Sequence, residues 1–222
     1  MHRTRVKICG TMRAEDARTA SLAGADAVGM IFHPPSKRNI SPERAQEIVA
    51  AVGAFVTPVG VFVDAPTERI VETARAVGLR TVQLHGRERA DQVRELRAAG
   101  FAVLKAVRVD ASLDAELLYW RSQSDVLQSI LGLVLEAGDT KEAGGTGIAN
   151  DFDRIRQCQQ RGVFDGLPPV IVAGGLRAET VGGVVETLRP WAVDVSSGVE
   201  RAAGVKDEQL VRRFIHAARW AE

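Results

Sequence analysis

The chain has 222 residues, 45% hydrophobic and 26% charged, with 29 basic against 28 acidic side chains. A net charge of +1 lacks the basic excess that nucleic acid or an anionic membrane surface demands, so neither partner is expected. Its two cysteines, Cys9 and Cys158, are too few for a disulfide scaffold and have no metal-ligand spacing, which points to a reducing cytoplasm and no bound metal.

Short apolar runs alternate with amphipathic stretches along the whole chain. The runs are Val6–Cys9, Ala27–Phe32, Val59–Val63, Val82–His85, Val103–Val107, Leu133–Ala137, Val170–Ala173 and Ala192–Val195. They are rich in β-branched residues and do not alternate strictly, the pattern of parallel strands buried on both faces. No run approaches the roughly 18 residues of a membrane span, and no apolar segment follows the N-terminal arginines as a signal peptide requires.

A helical stretch follows each strand: Arg13–Ala23, Pro42–Val52, Thr67–Val77, Glu88–Ala99, Ala111–Trp120, Phe152–Arg161, Ala178–Leu188 and Asp207–Ala218. Ser41 is placed to cap the second, with Pro42 at its first position. Gly78 and Gly100 suit left-handed C-caps of the third and fourth. Eight βα units allow a closed (β/α)8 TIM barrel or a doubly wound sheet. Even spacing of about 25 to 30 residues favours the barrel. No linker marks a second domain, so residues 1–222 read as one barrel. The longest irregular stretch, Gly138–Asp151, has the length of a functional lid.

In such a barrel the chemistry sits where strands end. The loops after strands seven and eight carry Gly174-Gly175 and Ser196-Ser197-Gly198. Glycine lets main-chain N–H groups approach a phosphate, and this pair of loops often forms a phosphate site. Gly145 and Gly147, in Gly144-Gly145-Thr146-Gly147, can add donors, act as a lid, or form a plain loop. Cys9 closes strand one and is a base, a nucleophile, or a small buried residue. Lys7 lies two residues earlier on the same face, able to favour a thiolate or to form an ion pair. Glu136 closes strand six, where a carboxylate is costly unless solvated or paired. It is a general-acid candidate, with Asp139 the alternative. Asp194 is either a substrate contact or the partner of Arg38 or Lys7. Arg38 can clamp a carboxylate or belong to a solvated basic loop. His85 reads as an acid/base group or a structural histidine.

Several stretches together carry a family resemblance: Val6-Lys7-Ile8-Cys9-Gly10, Ser36-Lys37-Arg38-Asn39-Ile40-Ser41, Val82-Gln83-Leu84-His85-Gly86, the Gly144–Gly147 loop and Asp194-Val195-Ser196-Ser197-Gly198-Val199-Glu200. The chain resembles, from end to end, the phosphoribosylanthranilate isomerases of tryptophan biosynthesis. The resemblance implies a cofactor-free Amadori rearrangement of a small phosphosugar. Cys9 would be the base and a carboxylate closing strand six the acid. Arg38 would hold the anthranilate end, with Lys7, His85 and Asp194 beside the substrate. Gly145, Gly147, Gly174, Gly175, Ser196, Ser197 and Gly198 would hold the phosphate. A monomer is expected ahead of a homodimer.

Two departures concern one corner of the site. The family's strand-six acid is Asp, whereas Glu136 stands here. The family's Lys-Thr-Phe-Asp-Trp after the glycine loop is replaced by Ile148-Ala149-Asn150-Asp151-Phe152. A drifted isomerase of another aminated phosphosugar and a non-catalytic phosphate-binding barrel are the competing expectations. The related isomerase of histidine synthesis uses an aspartate where Cys9 stands, which counts against the first of these.

Overall fold

The computed structural model describes residues 3–137 and 147–219. Eight parallel strands close into a barrel: β1 (Arg5–Ile8), β2 (Ala27–Ile31), β3 (Thr57–Phe62), β4 (Thr81–Leu84), β5 (Ala102–Arg108), β6 (Ile130–Glu136), β7 (Val170–Ala173) and β8 (Ala192–Val195). Ring closure is made by β1 on β8, with Lys7 opposite Asp194 and Ile8 opposite Val195. The (β/α)8 barrel expected from the sequence is therefore the fold. The first five helices are α1 (Ala14–Ala23), α2 (Pro42–Ala51), α3 (Thr67–Val77), α4 (Ala90–Ala98) and α5 (Leu113–Ser122). The remaining four are α6 (Ser124–Leu127), α7 (Gly147–Gln160), α8 (Val181–Leu188) and α9 (Glu208–Arg219).

Alternation along the strands divides the core into two. Val59, Leu104, Ala106, Val134, Ile171, Ala173 and Ala192 form a cluster of their own, which we place inside the barrel. The intervening residues, such as Val6, Ile8, Val28, Val82, Leu84, Leu133 and Leu135, belong to a larger cluster with the helices. Helix α9 buries Val211, Phe214, Ile215 and Ala218, the stripe expected of a helix lying on a sheet.

Local signals act as the sequence suggests. Ser41 Oγ accepts a hydrogen bond from Arg44 N, and Gly78 closes α3 in the left-handed region. Helix α4 departs at its start, opening at Ala90 rather than Glu88. The Glu88 carboxylate is instead buried, accepting from Asp64 N, Gly86 N and Lys105 Nζ at 2.9, 2.8 and 3.1 Å. Helix α7 begins at Gly147, five residues before the expected Phe152. Among the described residues the single turn α6 was not anticipated, nor was a hairpin of β9 (Glu200–Ala202) and β10 (Val205–Lys206) after β8.

Candidate active site

The β1/β8 corner of the rim is built from buried charge. Lys7 Nζ lies 2.7 Å from Asp194 Oδ2, with side chains only 5% and 7% exposed. Burial opposes the Lys7 charge, but Asp194 and Cys9 outweigh it and hold the ammonium well above the usual lysine range. Cys9 continues the ladder beyond β1, its N–H donating to Val195 O at 2.7 Å. Its side chain and that of Lys7 crowd the same face of Gly29, where a Cβ would fall 2.8 Å from Cys9 Sγ and 3.1 Å from Lys7 Nζ. Burial pushes the Cys9 thiol up, and the Lys7 ammonium works against that shift.

A second chain of charge encloses the same cysteine. Lys206 Nζ donates to Cys9 O, Ser196 O and Glu200 Oε1 at 2.5, 3.1 and 2.9 Å. Arg38 grips Glu200 through Nε and Nη2, at 2.8 and 2.7 Å. Burial pushes Glu200 up, but the hydrogen bonds and charges of Arg38 and Lys206 outweigh it and hold the carboxyl below the usual range. Fork geometry of this kind fixes a guanidinium in direction as well as place.

The β4/β6 corner is wetter. Glu136 ends β6 in register with Arg108 on β5 and Ala173 on β7. Its Oε2 lies 2.8 Å from His85 Nε2, with side chains 38% and 27% exposed. His85 Nδ1 is 2.8 Å from Gln83 Nε2. Burial raises the Glu136 carboxyl, but the hydrogen bond and charge of His85, with Arg108 and Lys7, more than offset it and leave the group below its ordinary value.

Between these corners the loops after β6, β7 and β8 press backbone on backbone. Gly174 has φ +90° and lies so close to Ala137 that a Cβ would collide with its carbonyl. Gly198 is similarly closed by the Leu176 carbonyl. Ser196 Oγ is buried without a hydrogen-bond partner, and residues Ser197–Val199 form a 3-10 turn.

A cavity of about 770 Å³ unites these groups. Cys9, Arg38, His85, Glu136, Gly174, Gly175, Asp194, Ser196, Ser197 and Gly198 all border it. Lys7 lies against Asp194, and Gly147 opens α7. Gly145 and Asp139 lie outside the described residues. Arg108, which closes β5, and Arg177, two residues past Gly175, also border the cavity and had been given no role. Glu200 and Lys206 were missed as well. Glu200 closes the Asp194–Glu200 motif, but nothing in the sequence marks Lys206, which follows on a short hairpin beyond β8.

The family model for N-(5′-phosphoribosyl)anthranilate (PRA) isomerase matches residues 6–217. The N-(5′-phosphoribosyl)anthranilate isomerase of Rubrobacter xylanophilus is 40% identical over 216 residues, 97% of this chain and 98% of the relative. That of Pseudomonas aeruginosa strain LESB58 is 39% identical over 99% of this chain and 97% of its own. The crystal structure of the Thermotoga maritima phosphoribosyl anthranilate isomerase superposes with a TM-score of 0.82 at 39% identity, covering 97% and 98% of the two chains. A phosphoribosyl anthranilate isomerase in complex with reduced 1-(o-carboxyphenylamino)-1-deoxyribulose 5-phosphate superposes at 0.77, with 36% identity and the same coverage.

Proposed function

The chain belongs to the N-(5′-phosphoribosyl)anthranilate isomerase family, and from that premise we propose that Cys9 and Glu136 divide the proton transfers of its reaction. The enzyme is an isomerase of tryptophan biosynthesis. It converts N-(5′-phosphoribosyl)anthranilate to 1-(o-carboxyphenylamino)-1-deoxyribulose 5-phosphate by an Amadori rearrangement.

The observation that carries the assignment is the placement of a thiol and a carboxyl group on different walls of one cavity, with the glycine loops after β7 and β8 between them. Two positioned groups suffice for this chemistry. Glu136 protonates the furanose ring oxygen, and the nitrogen lone pair opens the ring to a protonated Schiff base. Cys9, as thiolate, removes the C2′ proton to give an enolamine, which tautomerises to the ketone. The Lys7 ammonium, held charged by Asp194, favours the thiolate against the burial that opposes it.

The remaining groups place the substrate. Backbone N–H groups of Gly174, Gly175, Ser196, Ser197 and Gly198 receive the phosphate, with Gly147 contributing the N-terminus of α7. Glu200 fixes the head of Arg38 at the cavity edge, where it meets the anthranilate carboxylate. Asp194 Oδ1 is buried without a partner and borders the cavity, so it suits a sugar hydroxyl. Free thiols at Cys9 and Cys158 suit a reducing compartment, and we place the enzyme in the cytoplasm.

The test follows the fluorescence of phosphoribosylanthranilate, made in place from anthranilate, with wild type and Cys9→Ser side by side. Rapid decay with wild type and almost none with the variant is expected. A folded wild type that gives no decay above background would overturn the reading, as would an unimpaired Cys9→Ser.

A further inference from the structure

The acid assigned to Glu136 raises a difficulty that its neighbours resolve. Its carboxyl is held below the ordinary range, so near neutral pH it is largely ionised and has no proton of its own to give. Of the cationic groups that hold it there, Arg108 does not deprotonate, and Lys7 is bound to Asp194. His85 is in direct contact, 2.8 Å away, and an imidazole can both carry and release a proton.

We propose that His85 is the proton-carrying partner of Glu136, so that the general acid is the pair rather than the carboxyl alone. The inference rests on the isomerase reading above. In the ring-opening step the pair begins as an imidazolium beside a carboxylate, with Nδ1 of His85 protonated and its Nε2 proton shared with Glu136 Oε2. That proton forms the O–H bond at the ring oxygen as the C1′–O bond breaks, its electron pair passing to oxygen. The nitrogen lone pair forms C1′=N, which leaves a protonated Schiff base beside a neutral imidazole and a carboxylate.

Gln83 is built to serve both charge states. It is fully buried, two residues before His85 on the same face of β4. Its Nε2 stands 2.8 Å from His85 Nδ1, so that Nδ1 accepts and Nε2 carries the proton facing Glu136. Its Oε1 is buried with no hydrogen-bond partner. Turning the amide over therefore breaks no bond at Oε1, and it offers an acceptor to Nδ1–H of the imidazolium. The pair also depends on the length of Glu136, since an aspartate at the same Cα draws the carboxylate back by about one bond length. Facing the pair are Arg108 on β5, Lys7 on β1 and the carboxylates of Asp110 and Asp194 along the same cavity.

Glutamine in place of His85 keeps a neutral N–H donor near the Nε2 position but cannot carry the proton. In His85→Gln, kcat falls about 100-fold with KM little changed. The alkaline limb of the kcat profile moves to lower pH, because the lone Glu136 carboxyl loses its proton earlier than the pair does. Activity within about threefold of wild type with an unmoved pH profile would overturn the proposal. A second readout needs no turnover. In ¹H–¹⁵N spectra of the full-length protein at one neutral pH, the His85 Nε2–H resonance moves upfield in Glu136→Gln, since its charged acceptor has been removed. An unchanged resonance contradicts the shared proton whether or not phosphoribosylanthranilate is turned over. Absence of wild-type turnover contradicts only the function reading.

Discussion

The two corners of the rim to which we assign the proton transfers are built differently. At β1/β8 the ion pairs Lys7–Asp194 and Lys206–Glu200 are at least nine-tenths buried, and Cys9 is enclosed between them. At β4/β6 the His85–Glu136 pair is about one-third exposed. Buried pairs interact strongly but leave a costly orphan when one partner is removed. Partly solvated pairs are weaker, and they exchange protons with water readily. The proposed base is thus locked into the architecture of the barrel closure, whereas the proposed acid sits where a proton can be replaced each cycle.

Substitutions separate the corners by size and kind of effect. Cys9→Ser lowers kcat about 1,000-fold or more, while its thermal unfolding midpoint stays within a few degrees of wild type. Lys7→Met leaves Asp194 buried without its partner and costs about 3–5 kcal/mol in urea unfolding. The double variant Lys7→Met/Asp194→Asn recovers most of that loss, and an additive double variant would show the pair is not coupled. Glu136→Asp retains the charge but moves it away from His85, so kcat falls roughly 10- to 100-fold with little change in stability.

The smallest contrast is in the pH dependence of stability. Glu136 has a folded-state pKa below its unfolded value, so its contribution is present above the unfolded pKa and is lost as pH falls through the folded one. The unfolding midpoint of Glu136→Gln therefore differs from wild type near neutrality and converges with it in acid. Lys7 has a raised folded-state pKa, so its contribution is present below the unfolded value and is lost only as pH rises through the folded one. The Lys7→Met deficit therefore persists into mildly alkaline solution, and a deficit that closes between neutrality and about pH 9 would reverse the sign argued for that corner.

The barrel was legible because its signals are local. β-Branched runs and left-handed glycine caps recur at even spacing, and strand ends mark the rim without further information. Cys9, Glu136 and the glycine loops were found in this way. Of their partners, Lys7 and its pairing with Asp194 were among the readings the sequence offered; the others were not, because a pairing across the rim leaves no local trace. Arg38 and Glu200 are 162 residues apart in sequence, and Lys206 reaches Cys9 across 197. His85 was visible as a strand end, but nothing on β4 says which strand it faces. Only the closed ring brings the two together. Glu88 shows the converse. Its helical periodicity was sound, but the N–H groups and ammonium it satisfies draw it out of α4.

The proposed division of labour between the corners is tested most directly with phosphoribosylanthranilate deuterated at C2′, the carbon whose proton is assigned to Cys9. Steady-state rates are compared for labelled and unlabelled substrate in Cys9→Ser and Glu136→Gln. Weakening the base makes C–H cleavage limiting, so the isotope effect rises above wild type in Cys9→Ser. Weakening the acid makes ring opening limiting, so it shrinks toward unity in Glu136→Gln. Equal isotope effects in the two variants, or the reverse order, would contradict the assignment of base to one corner and acid to the other.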